Sequence, residues 1–275
     1  MNASNNKIEF NINKDDLRGH EYTIKIIRLS ESCYTAGVTG FTAIEHIDVS
    51  NGELLPKKVT SQADHKFLFI GDSITAAYGV EGSDPCSFDQ FTESILDSYA
   101  SILSEQYYNH VDYHVIAWSG KGVVRNYGDA DSVSTTSPTM PVLYNLSIST
   151  DPSSYWKPSN YIPTEIFVLL GTNDYSTKPY PSDSDFTNGY IKFINQIFSD
   201  YPSAKKLYAM CAPLNNDNQC MNIENAAKMA STDRIKYVKV DSSVIDAGPA
   251  GCNGHPSVTT QQNMANFIFK AMIKE

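Results

Sequence analysis

The chain has 275 residues, a formal net charge of -10 at pH 7 and a pI near 5.0, with 41% hydrophobic residues. So acidic a surface argues against nucleic acid and anionic membrane as partners, because both are held by basic patches. No apolar run approaches the ~20 residues of a membrane span, and the length is enough for a core of ordinary size.

In chain order, "YTIKIIRLS" at 22–30 alternates apolar and polar residues and predicts a strand, and "GFTAIEHIDV" at 40–49 does so loosely. After the polar link "NGELLPKKVTSQAD" the pattern changes to strands alternating with amphipathic helices. The series is "KFLFIG", a helix from about Phe88 to Tyr107, "YHVIAWSG", a loop-rich insert over 129–163, and "EIFVLLGTND". It continues with a helix from Asp185 to Asp200, "KKLYAMCAP", a short helix near Ile223 to Ala230, "IKYVKVD", and a terminal helix from about Thr259 to Lys274. Short apolar strands alternating with helices predict an α/β fold with a parallel sheet covered on both faces. The expected division is 1–60 as a β segment and 61–275 as the α/β domain. So short a β segment buries too little surface to stand alone and is expected to lean on the domain that follows.

In parallel sheets of this kind ligands gather at the carboxyl ends of the strands. Those ends here are Gly71-Asp72-Ser73, Ser119-Gly120-Lys121-Gly122 and Gly171-Thr172-Asn173-Asp174, and "GCNGHPS" precedes the last helix. A serine hydroxyl becomes a nucleophile when a base accepts its proton. Of the six histidines, only His255 sits in a loop that reaches this edge; His20, His46, His65, His110 and His114 fall elsewhere. The Ser73 N–H, the Gly120 N–H and the Asn173 side chain are candidate donors for the oxyanion of a tetrahedral intermediate. Turn shaping by glycine and helix capping by asparagine are the structural alternatives at these positions.

"GDSIT" at 71–75, "SGKG" at 119–122, "GTND" at 171–174 and "HPS" at 255–257 resemble, in order, the sequence blocks of the SGNH or GDSL hydrolases. "FIGDSITAAYG", "AWSGKGVVRNYGD" and "LLGTNDYS" are most similar to carbohydrate esterase family two, the acetylxylan-type deacetylases. The resemblance implies a flavodoxin-like three-layer α/β/α hydrolase preceded by part of a jelly roll. It also implies Ser73 as nucleophile, His255 as base, and Ser73, Gly120 and Asn173 as the oxyanion hole. The implied reaction is deacetylation of plant polysaccharide such as xylan or mannan, with no cofactor and no metal. A feruloyl or other acyl esterase, and a glycan-binding protein on a hydrolase scaffold, are the rival readings.

Departures from the family pattern shape the remaining expectations. Where many relatives place an aspartate three residues before the histidine, this chain has Cys252, and Asn253 follows it. A Ser–His dyad is therefore expected, with the imidazole oriented by Asn253 or a backbone carbonyl in the Cys252 loop, and Asp246 as a remote alternative. Gly254 stands where relatives can carry an aromatic. Asp72, Tyr175 and Trp118 are candidates for substrate contact, while core packing competes for Trp118 and Trp156. The five cysteines show no CxxC metal spacing. Cys211 and Cys220 are spaced to close a disulfide in an oxidising compartment, with buried thiols as the alternative. Abundant Tyr, Asn and Ser suggest a mature secreted protein, with a cytoplasmic one as the alternative.

Overall fold

Phe67, Leu68, Phe69 and Ile70 form an unbroken apolar run because both faces of their strand are covered, so neither face needs a polar residue. They belong to β1 (His65–Gly71) of a five-stranded sheet completed by β2 (Val111–Ala117), β3 (Glu165–Leu169), β4 (Lys206–Cys211) and β5 (Ile235–Lys239). The computed structural model describes residues 24–31, 47–48, 53–55, 63–106, 111–214, 217–230 and 232–273. Every strand pair is parallel and the order is β2-β1-β3-β4-β5. The chain leaves β1 toward β2 on one side and returns to β3 on the other, so the crevice at the carboxyl ends opens beside β1.

Alternation along the strands splits the core into two layers. Phe67 and Phe69 face α2 (Tyr99–Gln106) and α6 (Val258–Ile273), together with Phe167, Tyr208, Met264 and Ile268. On that face Phe69 stacks on Phe167 at 4.7 Å, and Phe167 on Tyr208 at 4.8 Å, so one aromatic ladder crosses three adjacent strands. Leu68 and Ile70 face α4 (Asp183–Asp200) and α5 (Asp217–Met229), with Phe186, Tyr190, Phe193 and Ile223. Two single turns, α1 (Ser73–Ala76) and α3 (Met140–Leu143), lie in the connections. The Ser182 side chain caps α4 by accepting the Asp185 N–H, and Pro202 follows its end, where a proline disfavours further helix.

The helix expected from Phe88 to Tyr107 is shorter than its pattern. Asp89 accepts the Phe91 N–H through its side chain and the Thr92 N–H and hydroxyl through its carbonyl, which folds residues 89–92 into a turn. A 3-10 turn at Ile95–Asp97 then leads into α2. The helix expected near 223–230 is longer, starting at Asp217. Of the strand expected at 22–30, residues 24–30 are described, and they pair with no strand among the described residues. Two of them contact the α/β layers: Leu29 accepts the Ile95 N–H at 2.9 Å, and Lys25 pairs with Glu105 at 3.3 Å. Most of the second expected strand, 40–49, and the division near residue 60 lie outside the described residues.

Candidate active site

Ser73 stands on the turn between β1 and α1. Asp72, in extended conformation, caps that turn: its Oδ1 accepts the Ile74 N–H at 3.0 Å. The turn leaves room for no side chain at Gly71, where a Cβ would fall 1.9 Å from Thr75 Oγ1. Ala77 ends it in the left-handed region at φ 62°, returning the Tyr78 N–H to the Ser73 carbonyl. The serine is thus held by a rigid backbone and is 8% exposed.

His255 reaches Ser73 from the loop before α6, with Nε2 2.9 Å from Oγ. Its Nδ1 lies 3.1 Å from the Cys252 carbonyl. A carbonyl only accepts, so Nδ1 carries the hydrogen and Nε2 offers its lone pair to the serine O–H. Burial lowers the histidine's pKa below its ordinary value, partly opposed by the backbone acceptors at Cys252 and Asn253. Asn253 does not orient the imidazole through its side chain. Its Oδ1 accepts the Tyr78 O–H at 3.0 Å, and the Tyr78 ring packs on His255 at 4.2 Å between centroids. Asp246 makes no bond to the histidine; its N–H donates to Thr260 Oγ1 at 2.9 Å.

The histidine loop is tied down covalently. Cys252 is bonded to Cys86, 166 residues away, so its sulfur plays no part in orienting His255 while its carbonyl does. The Asn253 N–H donates to the Cys86 carbonyl and the Cys252 N–H to the Gly79 carbonyl. Cys211 and Cys220 form a second disulfide, the pairing their spacing allowed.

The expected oxyanion donors come to the same edge. Among the described residues, neither the Ser73 N–H nor the Gly120 N–H donates to a protein acceptor. Gly120 has φ 77°, a conformation glycine adopts without strain. The Asn173 amide donates to the Lys121 carbonyl at 3.0 Å and more weakly to Asp72 Oδ2 at 3.3 Å. Asp174 was not singled out by sequence reasoning, yet it builds this edge. Its buried carboxylate accepts the N–H groups of Val123, Val124 and Arg125 at 2.8–2.9 Å, clamping the loop after β2 against the end of β3. Burial pushes the Asp174 carboxyl up to about 6 despite those bonds. Burial pushes Asp72 up to about 7, with the Ile74 N–H opposing and Asp174 adding to the rise.

The three residues expected to contact substrate are largely buried. Asp72 is fully buried and spends its oxygens on Ile74 and Asn173. Trp118 is 8% exposed and Tyr175 7%, and both rings belong to the same apolar core layer. Tyr175 packs edge-on against Phe186, and its hydroxyl accepts from Asn222 at 2.9 Å. Strand-end residues look accessible in sequence, but these side chains turn inward. Trp156 is half-buried and stacks on His114 at 5.4 Å.

No family model matches the chain. It is 31% identical over 233 residues to the cellulase/esterase CelE of Acetivibrio thermocellus, covering 80% of this chain and 26% of that protein. It is 25% identical over 271 residues to an acetylxylan esterase/glucomannan deacetylase of Cellvibrio japonicus, covering 92% and 69% of the two. The chain thus spans about a quarter of CelE and somewhat over two thirds of the second relative. Among solved structures, a family two carbohydrate esterase from Clostridium thermocellum in complex with cellohexaose superposes with a TM-score of 0.70 at 28% identity, covering 82% of this chain and 68% of that one. The chain is thus similar in sequence to an acetylxylan esterase/glucomannan deacetylase and a cellulase/esterase and in structure to a family two carbohydrate esterase, and its α/β fold is shared with a putative GDSL-like lipase.

Proposed function

We propose that the protein is a serine esterase that removes acetyl groups from plant cell-wall polysaccharide such as xylan or glucomannan. The observation that carries the chemistry is the 2.9 Å contact between Ser73 Oγ and His255 Nε2, with Nδ1 held by the Cys252 carbonyl. Ser73 Oγ attacks the ester carbonyl as its proton passes to His255 Nε2. The carbonyl oxygen, now anionic, takes hydrogen bonds from the Ser73 and Gly120 N–H groups and from Asn173 Nδ2, whose longer bond to Asp72 is the one to yield. When the tetrahedral intermediate collapses, His255 gives the proton to the departing sugar oxygen and the acetyl group remains on Ser73. Water then enters, His255 takes one of its protons, and acetate leaves as the serine recovers its hydrogen.

The acyl group and sugar rest on the relatives, one of which carries the name acetylxylan esterase/glucomannan deacetylase. The two disulfides favour an oxidising compartment and hence secretion. The test is acetate release from acetylated xylan and glucomannan fragments, beside release of ferulate from feruloylated xylan. Acetate release that disappears in Ser73→Ala supports the reading; equal release by that variant removes Ser73 from the reaction, and a preference for ferulate shifts the acyl group.

A second reading has its own support, since a similar esterase was solved with cellohexaose. On this reading the cleft also holds unacetylated β-glucan chains. Competitive inhibition of ester turnover by cello-oligosaccharides is the expected result, and uninhibited turnover counts against it.

A further inference from the structure

Among the described residues, the N-terminal segment reaches the edge that carries Ser73 through Glu31. Glu31 sends its carboxylate into the α/β layers, where Oε2 accepts the Ser119 N–H at 2.7 Å. Ser119 immediately precedes Gly120, whose N–H has no protein acceptor among the described residues. The Glu31 backbone, from which the carboxylate extends, is itself held on both sides. The Glu31 N–H donates to Glu93 Oε2 at 3.1 Å, and Arg28 Nη2 donates to the Glu31 carbonyl at 2.7 Å. On the far side of the turn, the Tyr127 N–H donates to the Gly120 carbonyl at 2.9 Å, and the Lys121 N–H to the Trp118 carbonyl at 3.2 Å. The Trp118 N–H is bound in turn to the Gly71 carbonyl at the end of β1. The peptide carrying the Gly120 N–H is therefore clamped from both sides, and on the upstream side the only side-chain acceptor described is Glu31.

We propose that Glu31 is a positioning residue for the oxyanion hole: by accepting the Ser119 N–H it sets the turn that aims the Gly120 N–H at the reacting oxygen. The segment before the hydrolase layers thereby takes part in the reaction without touching substrate. Glu93 is the carboxylate beside it. Burial raises the Glu31 carboxyl, and burial followed by the charge of Glu31 pushes Glu93 up to about 8. The nearby Arg28 favours the charged form of both.

The inference rests on the esterase reading, so wild type and Ser73→Ala are assayed alongside on p-nitrophenyl acetate and on an acetylated xylo-oligosaccharide. Failure of that reading appears as wild-type turnover that is absent or survives Ser73→Ala. Failure of this inference appears only in the Glu31 variants. Glu31→Ala is expected to lower kcat about tenfold or more with KM little changed, since a misplaced donor weakens binding of the transition state and not of the ground state. Glu31→Gln, whose amide oxygen can still accept the Ser119 N–H, is expected to recover most of that loss. Should Glu31→Ala not fold, Glu31→Asp decides: it keeps the charge, withdraws it by one methylene, and is expected to lose kcat as well. A kcat at the wild-type level in the folded Ala or Asp variant, a loss confined to KM, or a Gln variant as impaired as Ala would overturn the proposal.

Discussion

In the proposed reaction His255 has a backbone carbonyl, not a carboxylate, on Nδ1. A backbone carbonyl fixes the tautomer as well as an aspartate does, but as a neutral dipole it stabilises the imidazolium less. Two consequences follow for measurement. Asp246→Asn should leave substantial turnover, because the Asp246 N–H, which substitution does not alter, makes the contact that places this residue beside α6. A fall near the 10⁴-fold seen when a triad aspartate is neutralised would mean that Asp246 reaches His255 during the reaction. The second concerns pH. Burial holds the histidine's pKa below its ordinary value of 6.5, and the base works only when neutral, so the acid limb of kcat/KM should lie below 6.5 and activity should persist into mildly acidic solution. A limb above that value would show a negative charge close to the ring in the free enzyme.

The loop from Gly251 to His255 is closed on itself by the Gly251 N–H to the His255 carbonyl at 2.9 Å and is tied to the rest of the chain by long-range bonds. Asn253 adopts φ 55° and Gly254 φ 71°, and this left-handed run is pinned by the Cys86 disulfide and the bonds to Gly79 and Cys86. The disulfide closes a loop of more than half the chain. Removing it with Cys86→Ala should destabilise the protein by about 2–5 kcal/mol and lower kcat, since the carbonyl that orients His255 belongs to the residue released. Thermal denaturation and kinetics of the variant, compared with wild type under reducing agent, check this. An unchanged kcat would show that the hydrogen bonds alone hold the loop.

Ser73, His255, Gly120 and Asn173 were legible in sequence because each lies at the end of a strand or the start of a helix, where apolar periodicity stops and small polar residues begin. Asp174, Glu31 and the Cys86–Cys252 bond were not. Their roles depend on segments far apart in sequence meeting in space, and a carboxylate that clamps three N–H groups looks, in sequence, like any acidic residue in a loop. The burial of Trp118 and Tyr175 was hidden for a related reason: position at a strand end is readable, but the direction of the side chain is fixed only when the layers pack. The helix expected from Phe88 failed because its apolar spacing outlasts its helical backbone, which the Asp89 turn interrupts.

Across the whole molecule, the parallel order β2-β1-β3-β4-β5 brings three strand ends to one crevice, and the loop before α6 brings the base to it. The aromatic ladder from Phe69 through Phe167 to Tyr208 stiffens the sheet beneath β1, and the N-terminal segment braces the loop after β2. The central claim is that Ser73 carries the acyl group between the two halves of the reaction. Its most direct test is to mix the protein with p-nitrophenyl acetate, quench with acid during turnover, and map the modified peptide by mass spectrometry. One acetyl group on Ser73, absent from Ser73→Ala and strongly reduced in His255→Ala, is the predicted result; turnover with no acetyl group on Ser73, or with the group on another residue, would contradict it.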